Sequence, residues 1–158
     1  MDSTVIEGEV SARGRKVAIV AARFNDFIVS SLLKGATASW LEHGGAAGDL
    51  LVARVPGAFE LPVVARKLAA SDCYDAIVAL GCVIRGDTPH FDYVAGESAR
   101  GLQLASLETG VPIVFGVLTV ETMEQALERA ATSAGNKGGE SMETALEMAD
   151  LMARLSPL

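Results

Sequence analysis

The sequence predicts a three-layer α/β/α domain: a four-stranded, mainly parallel sheet with helices on both faces, plus an extra N-terminal strand. Two observations predict it. Short β-rich apolar runs alternate with longer amphipathic stretches, and strands joined by helices require parallel pairing with right-handed crossovers. The runs are apolar on both faces, as strands covered from either side must be. A third observation sets the scale. The 158 residues contain no internal repeat and no linker-like stretch, and the 16 Gly and 5 Pro are spread along the chain. A single domain over residues 1–158 is expected, long enough to bury a sizeable core.

Residues 4–10 read as the extra N-terminal strand. Residues 16–22 (KVAIVAA) form the first buried strand. After the turn at Arg23-Phe24-Asn25-Asp26, Ile28, Leu32, Ala36 and Trp40 step by four along one helical face, and Gly44-Gly45 after His43 stops it. Residues 50–55 are the second strand, ended by Pro56-Gly57. Residues 58–70 are the second helix, with Pro62 tolerated because it lies near the start. Residues 75–84 (DAIVALGCVI) make the third buried strand, followed by the loop Arg85-Gly86-Asp87-Thr88-Pro89-His90. A helix over 91–109 leads to a fourth strand at 111–120. Thr122, with Gln125 three residues on, fits a capping box for a helix through 131. Gly135-Asn136-Lys137-Gly138-Gly139 breaks it, and a last helix runs to 154 on Met142, Ala145, Ala149 and Met152.

Composition excludes several classes of function. Half the residues are apolar and 21% are charged, which rules out disorder. Thirteen Lys and Arg against twenty Asp and Glu leave a net charge of −7. A surface that acidic draws in neither phosphate backbones nor anionic lipids, so no nucleic acid and no membrane is expected as partner. Two cysteines are too few for a disulfide scaffold, and residues 1–4 show no hydrophobic signal segment. The reducing cytoplasm is the expected compartment.

Ligands of open parallel sheets bind beyond the carboxyl ends of the strands. That rule selects residues 23–25, 57–60, 85–90 and 119–122. The loop at 85–90 is the richest. Gly86 permits close backbone approach, the N–H groups opening a helix favour an anion, and Thr88 adds a hydroxyl. His90, one of two histidines, carries an imidazole suited to proton transfer near neutrality. The alternative is a capped loop in which Asp87 and Thr88 bond the helix N-terminus and His90 is a surface residue. Phe24 in its tight turn either stacks on a planar ligand or packs beneath the loop. Glu60 is an ordinary dipole-compensating residue in a first helical turn, and His43 a dipole partner at a helix C-terminus. Arg129 and Lys137 are solvated cations or the counter-charge of a phosphorylated substrate. Cys82 inside its strand reads as a small core residue.

Common alternatives are missing from the chain. No G-x-G-x-x-G follows the first strand, no G-x-x-x-x-G-K-[ST] occurs, and no G-x-S-x-G elbow is present. Two histidines 47 positions apart, without a C-x-x-C, argue against zinc.

Six segments in order carry a resemblance. They are Arg23-Phe24-Asn25; Pro56-Gly57-Ala58-Phe59-Glu60-Leu61-Pro62; the long run from Gly81-Cys82-Val83-Ile84 through Arg85-Gly86-Asp87-Thr88-Pro89-His90 to Phe91-Asp92-Tyr93-Val94; Phe115-Gly116-Val117-Leu118-Thr119; Glu128-Arg129-Ala130; and Gly135-Asn136-Lys137-Gly138. Over residues 5–152 the chain resembles the 6,7-dimethyl-8-ribityllumazine synthases, which catalyse the penultimate step of riboflavin biosynthesis. The resemblance implies a flavodoxin-like sheet and condensation of 5-amino-6-(D-ribitylamino)uracil with 3,4-dihydroxy-2-butanone 4-phosphate, with neither metal nor organic cofactor. It implies that Phe24 stacks on the pyrimidine, that Phe115 lines the same pocket, and that Ala58, Phe59, Cys82, Val83 and Ile84 hold the pyrimidine and ribityl groups largely through backbone atoms. Glu60 accepts from a ribityl hydroxyl with Lys137 nearby. Gly86, Asp87, Thr88 and Arg129 hold the phosphate, and His90 shuttles protons. Asp87, an anion in a phosphate loop, is expected to turn its side chain outward and offer its backbone N–H.

The resemblance also implies a homopentamer, built into a 60-subunit icosahedral shell because the segment from Arg129 to Gly138 carries no insertion, and riboflavin synthase as a further partner. It places His90 and Phe24 of one subunit opposite Phe115 and Arg129 of the next. Two competing functions are weaker. A non-catalytic flavin- or lumazine-binding protein on this scaffold has no need of His90 with Arg129, and a receiver-type signalling domain wants clustered acids where Arg23-Phe24-Asn25 stands.

Overall fold

The computed structural model describes residues 3–131 and 135–156. Its centre is a sheet of four strands, β1 (Val17–Ala22), β2 (Leu50–Val55), β3 (Ala76–Ile84) and β4 (Ile113–Val120), in the order β2-β1-β3-β4. Every pairing is parallel, so the sheet contains no antiparallel strand. β1 is buried at all six positions. Its Val17, Ile19 and Ala21 face one helical layer and its Ala18, Val20 and Ala22 the other. The period-two alternation that leaves a half-exposed strand amphipathic is therefore invisible here, because both phases are apolar.

Helices α1 (Asp26–Glu42), α4 (Met123–Arg129) and α5 (Lys137–Leu155) cover one face. Ile28, Leu32, Ala36 and Trp40 of α1 meet Met142, Ala145, Leu146 and Ala149 of α5 there; all but Leu146 are periodic positions read from the sequence, while Met152, expected on the same face, is exposed. Helices α2 (Leu61–Ala70) and α3 (His90–Thr109) cover the other face through Leu61, Ala65, Ala69, Leu102 and Ala105. No helix among the described residues is long and apolar enough to cross a membrane.

Several boundaries differ from the expectation, each for a local reason. Residues 58–60 make a 3-10 turn that feeds α2, leaving Pro62 in the first turn, where its missing N–H costs nothing. β4 starts at Ile113 because Pro112 has no N–H for a ladder; its carbonyl accepts from Ile77 N–H at 2.9 Å. α4 ends at Arg129 and not at 131. Thr122 caps it as expected, Oγ1 accepting from Gln125 N–H at 3.2 Å, while Gln125 Oε1 reaches back to Glu121 N–H at 2.8 Å. His43 closes α1, its Nδ1 lying 2.8 Å from the Ser39 carbonyl.

Two expectations fail. The glycine-rich segment is not a break over its whole length, because Lys137, Gly138 and Gly139 are the first turn of α5, capped by Asn136 Oδ1 accepting from Gly139 N–H at 3.1 Å. Gly138 is there for packing: a Cβ would run into the backbone of Leu32, so only glycine lets α5 start against α1. Residues 4–10 form no strand either. A strand needs a ladder partner, and this segment crosses α5 instead, with Glu9 N–H donating to Asp150 Oδ2 at 2.8 Å.

Candidate active site

The chain runs from β1 to β2 on one side of the sheet, then back past β1 to β3 on the other. Such a switch point leaves a crevice at the carboxyl ends of the two strands. Register deepens it. β1 pairs with β3 as far as Ala21 opposite Leu80, while β3 continues to Ile84 beside β4. Residues 82–84 thus project past the end of β1 as an open shelf, and a cleft of about 700 Å³ lies over it.

Three loops wall the cleft. Phe24 comes from the end of β1, residues 56–60 from the end of β2, and Gly86, Thr88 and His90 from the loop after β3; Phe91, Tyr93 and Val94 on α3 complete it. Asn25 holds the first loop in place. It takes the left-handed conformation at φ 61°, and its Nδ2 donates to the Cys82 carbonyl at 2.9 Å, tying the β1 turn to the β3 shelf. Phe24 is thereby held out from the core, 71% exposed, with Phe59 and Tyr93 at 57% and 68%. Of the two readings for Phe24, packing beneath its loop is the one the geometry rejects. Aromatic faces left this open on a rigid rim are stacking surfaces for a planar ligand.

The loop from 85 to 90 is not self-capped. α3 begins after Pro89 with no side-chain cap, and the Thr88 hydroxyl makes only a long contact of 3.5 Å with His90 N–H. First-turn N–H groups left unsatisfied are anion donors. Asp87 is absent from the cleft lining, in keeping with an outward side chain. Arg85 is turned away too. Its guanidinium lies 2.8 Å from Glu121 and 3.5 Å from Asp92, and it stacks on the Phe91 ring at 4.4 Å. It braces the loop against β4 and α3 rather than facing a ligand. Cys82 is buried, and desolvation pushes its thiol up to about 11. At neutral pH it is a thiol and no nucleophile, so its contribution to the shelf is its backbone. Glu60 lies at the mouth, its carboxylate over Gly57.

Ten of the fourteen residues singled out in the sequence therefore meet in one cleft: Phe24, Ala58, Phe59, Glu60, Cys82, Val83, Ile84, Gly86, Thr88 and His90. Besides Asp87, three do not reach it. Phe115 is paired with Ala79 on the edge strand, 41% exposed. Arg129 ends α4, with Nη1 3.1 Å from the Gln125 carbonyl, and Lys137 opens α5, 3.9 Å from Glu140. α4 and α5 cover the face opposite α2 and α3, the helices that flank the cleft.

The sequence model of the 6,7-dimethyl-8-ribityllumazine synthase family matches residues 14–153. The chain belongs to that family. A protein named 6,7-dimethyl-8-ribityllumazine synthase from Syntrophus aciditrophicus (strain SB) is 55% identical over 152 residues, covering 96% of this chain and 99% of that protein. The cleft residues given no role from the sequence include Pro56, Phe91, Tyr93 and Val94. Tyr93 and Val94 follow His90 at three and four positions, the spacing that places helical side chains on one face, and that signal was available. Asn25 is selected with its loop, but its role as a tether is not legible, since its bond to Cys82 spans 57 residues.

Proposed function

We propose that the protein condenses 5-amino-6-(D-ribitylamino)uracil with 3,4-dihydroxy-2-butanone 4-phosphate, giving 6,7-dimethyl-8-ribityllumazine, phosphate and water, in a site completed by a neighbouring copy. One observation carries this reading. The cleft joins exposed aromatic faces, an imidazole and an uncapped helix start, yet no Lys or Arg among the described residues lines it. Backbone donors bind a phosphate, but a doubly charged one in an acidic protein needs a cation. Arg129, outside the cleft of its own chain, supplies it from the next subunit, which also brings Phe115 and Lys137.

In this arrangement Phe24 stacks on the pyrimidine, with Phe115 of the neighbour lining the same pocket. Backbone atoms of Ala58, Phe59, Cys82, Val83 and Ile84 fix the pyrimidine and the ribityl chain. Glu60 accepts from a ribityl hydroxyl, and Lys137 lies beside it. Gly86, Thr88 and the Asp87 N–H hold the phosphate with Arg129. The amine adds to the ketone carbonyl and water leaves to give an imine; phosphate is then eliminated, and the ring closes with loss of water. Each step moves a proton, which the His90 imidazole takes up and returns. The guanidinium and the loop amides hold the charge of the departing phosphate. Holding two reactants in line supplies much of the remaining acceleration.

Residues 1–158 act as one such domain, in the cytoplasm, a reading supported by two free thiols, Cys73 and Cys82. Subunits form homopentamers, and twelve of these close a 60-subunit shell. Support comes from apolar side chains left uncovered: Val63 on α2 and Leu107 on α3, each 70% exposed, and Phe115 on β4. Riboflavin synthase is the further protein partner.

The test has two parts. Purified protein given both substrates should develop lumazine fluorescence; none under conditions that support binding overturns the condensation. Equal amounts of His90→Ala and Arg129→Ala subunits, unfolded and reassembled together, should regain intact sites at roughly a quarter of positions. Activity that stays at the mean of the two variants, despite proven mixing, places both residues in one chain and sinks the shared site.

A further inference from the structure

The Asn136 side chain bonds three separate elements, spending both of its N–H donors. Its Nδ2 donates to the Ser31 carbonyl in α1 at 3.1 Å and to the Ala130 carbonyl just past α4 at 3.0 Å. Its Oδ1 accepts from Gly139 N–H at 3.1 Å, capping α5. A primary amide has two N–H donors and a carbonyl with two lone pairs, so both donors and one lone pair are spent in a fixed triangle. Its neighbours make room for it. A Cβ on Gly35 would collide with the Asn136 amide, so α1 carries no side chain where that amide sits.

What the triangle joins is specific. Ala130 directly follows Arg129, and Asn136 directly precedes Lys137. One amide thus holds the end of the helix that carries Arg129 and the start of the helix that carries Lys137, with both fixed to α1 and so to the sheet. Among the described residues, neither cation has another rigid anchor of this kind. Arg129 bonds within its own helix to the Gln125 carbonyl, and Lys137 lies 3.9 Å from exposed Glu140, a weak and screened pair.

We infer that Asn136 is a positioning residue for the phosphorylated ketone: through the Ser31 and Ala130 carbonyls it sets where Arg129 stands, while its oxygen separately caps the helix that Lys137 opens. This rests on the reading of Arg129 as the counter-charge of the phosphate. A cap alone would need only an oxygen acceptor, which serine or aspartate supplies equally well. The two amide donors are what distinguish asparagine, and they serve the tether rather than the cap.

The distinction defines the experiment, on the full chain in its native assembly. Asn136→Ser keeps a good cap and removes both donors; Arg129→Ala serves as the reference. Steady-state kinetics with both substrates, and inorganic phosphate as inhibitor, should show for Asn136→Ser a KM for the phosphorylated ketone raised about tenfold, because a displaced cation loses its contact. Inhibition by phosphate should weaken in parallel, while the KM for the pyrimidine stays within about twofold. A purely structural role would shift both substrates together. Gly35→Ala approaches from the other side, leaving Asn136 intact while driving a methyl into its amide, and should produce the same split. Wild-type ketone kinetics in both variants, with Arg129→Ala impaired, overturns the tether alone. Wild-type ketone kinetics in Arg129→Ala overturns the role of that cation in the site, and the tether with it.

Discussion

The cleft and the outer surface of α5 use their polar groups in opposite ways. On α5, Asp150 accepts from Glu9 N–H at 2.8 Å, from Arg15 at 3.0 Å and from Arg154 at 2.7 Å, and Arg154 also reaches Glu9 at 3.4 Å. Every strong donor and acceptor in that strap has an internal partner. In the cleft the His90 ring has no partner among the described residues, the α3 N-terminus has no side-chain cap, and Phe24 lies open. Polar groups saturated within the chain serve the fold. Groups left unsatisfied on a rigid rim are free to bind something else, and the rim is rigid because Asn25 and Arg85, which do have partners, fix it.

If that contrast is right, lesions in the two regions should separate activity from stability. The largest effect is expected at the cleft. His90→Ala should lower kcat by about 100-fold, the usual worth of a positioned acid–base group, with unchanged thermal stability and nearly unchanged affinity for a substrate-like pyrimidine. Pyrimidine affinity that collapses by the same factor as turnover makes His90 a binding residue instead.

Gly138→Ala attacks the opposite side. Its new methyl meets the Leu32 backbone, and overpacking of this kind costs roughly 1–3 kcal/mol. Denaturant titration should show that loss. An unchanged unfolding midpoint would mean that α5 can slide on α1, and that the glycine is not a packing requirement.

A smaller and pH-dependent effect is expected at the strap. Glu9 N–H and the Arg154 guanidinium, with Arg15 beside them, hold the Asp150 carboxyl down at about 2, against 3.8 unperturbed. A lowered native pKa adds stability that is complete above 3.8 and is lost as pH falls through about 2. Asp150→Asn should therefore be less stable than the parent at pH 7, and the two melting curves should converge as pH is lowered from 4 toward 2. Parallel melting temperatures across that range would deny the strap its electrostatic part.

The smallest effect concerns the shelf. With its thiol pushed up to about 11 by burial, Cys82 should resist maleimide labelling in the folded protein at pH 7, while exposed Cys73 reacts. Mass spectrometry should count one label per chain; two labels would show that the shelf opens to solvent.

The parts of the molecule legible in the sequence share one property: their physics is local. Both-face apolar runs define β1 and β3 whatever lies around them, and four-residue steps from Ile28 to Trp40 define the buried face of α1. The rule that ligands bind beyond strand carboxyl ends selected the three loops that wall the cleft, along with residues 119–122, which do not line it. Tertiary structure decided what depends on residues distant in sequence. Asn136 meets Ser31 across 105 positions, Glu9 meets Asp150 across 141, and Arg85 turns to Glu121 just past the next strand. Gly138 reads as a helix breaker until Leu32 is seen beside it, and residues 4–10 read as a strand until no ladder partner is found. Local propensity is a property of the chain alone. Which group fills a space, and which is left facing the cleft, is settled only when helices far apart in sequence pack against one sheet, because contacts and desolvation act over a few ångströms in space and take no account of chain separation.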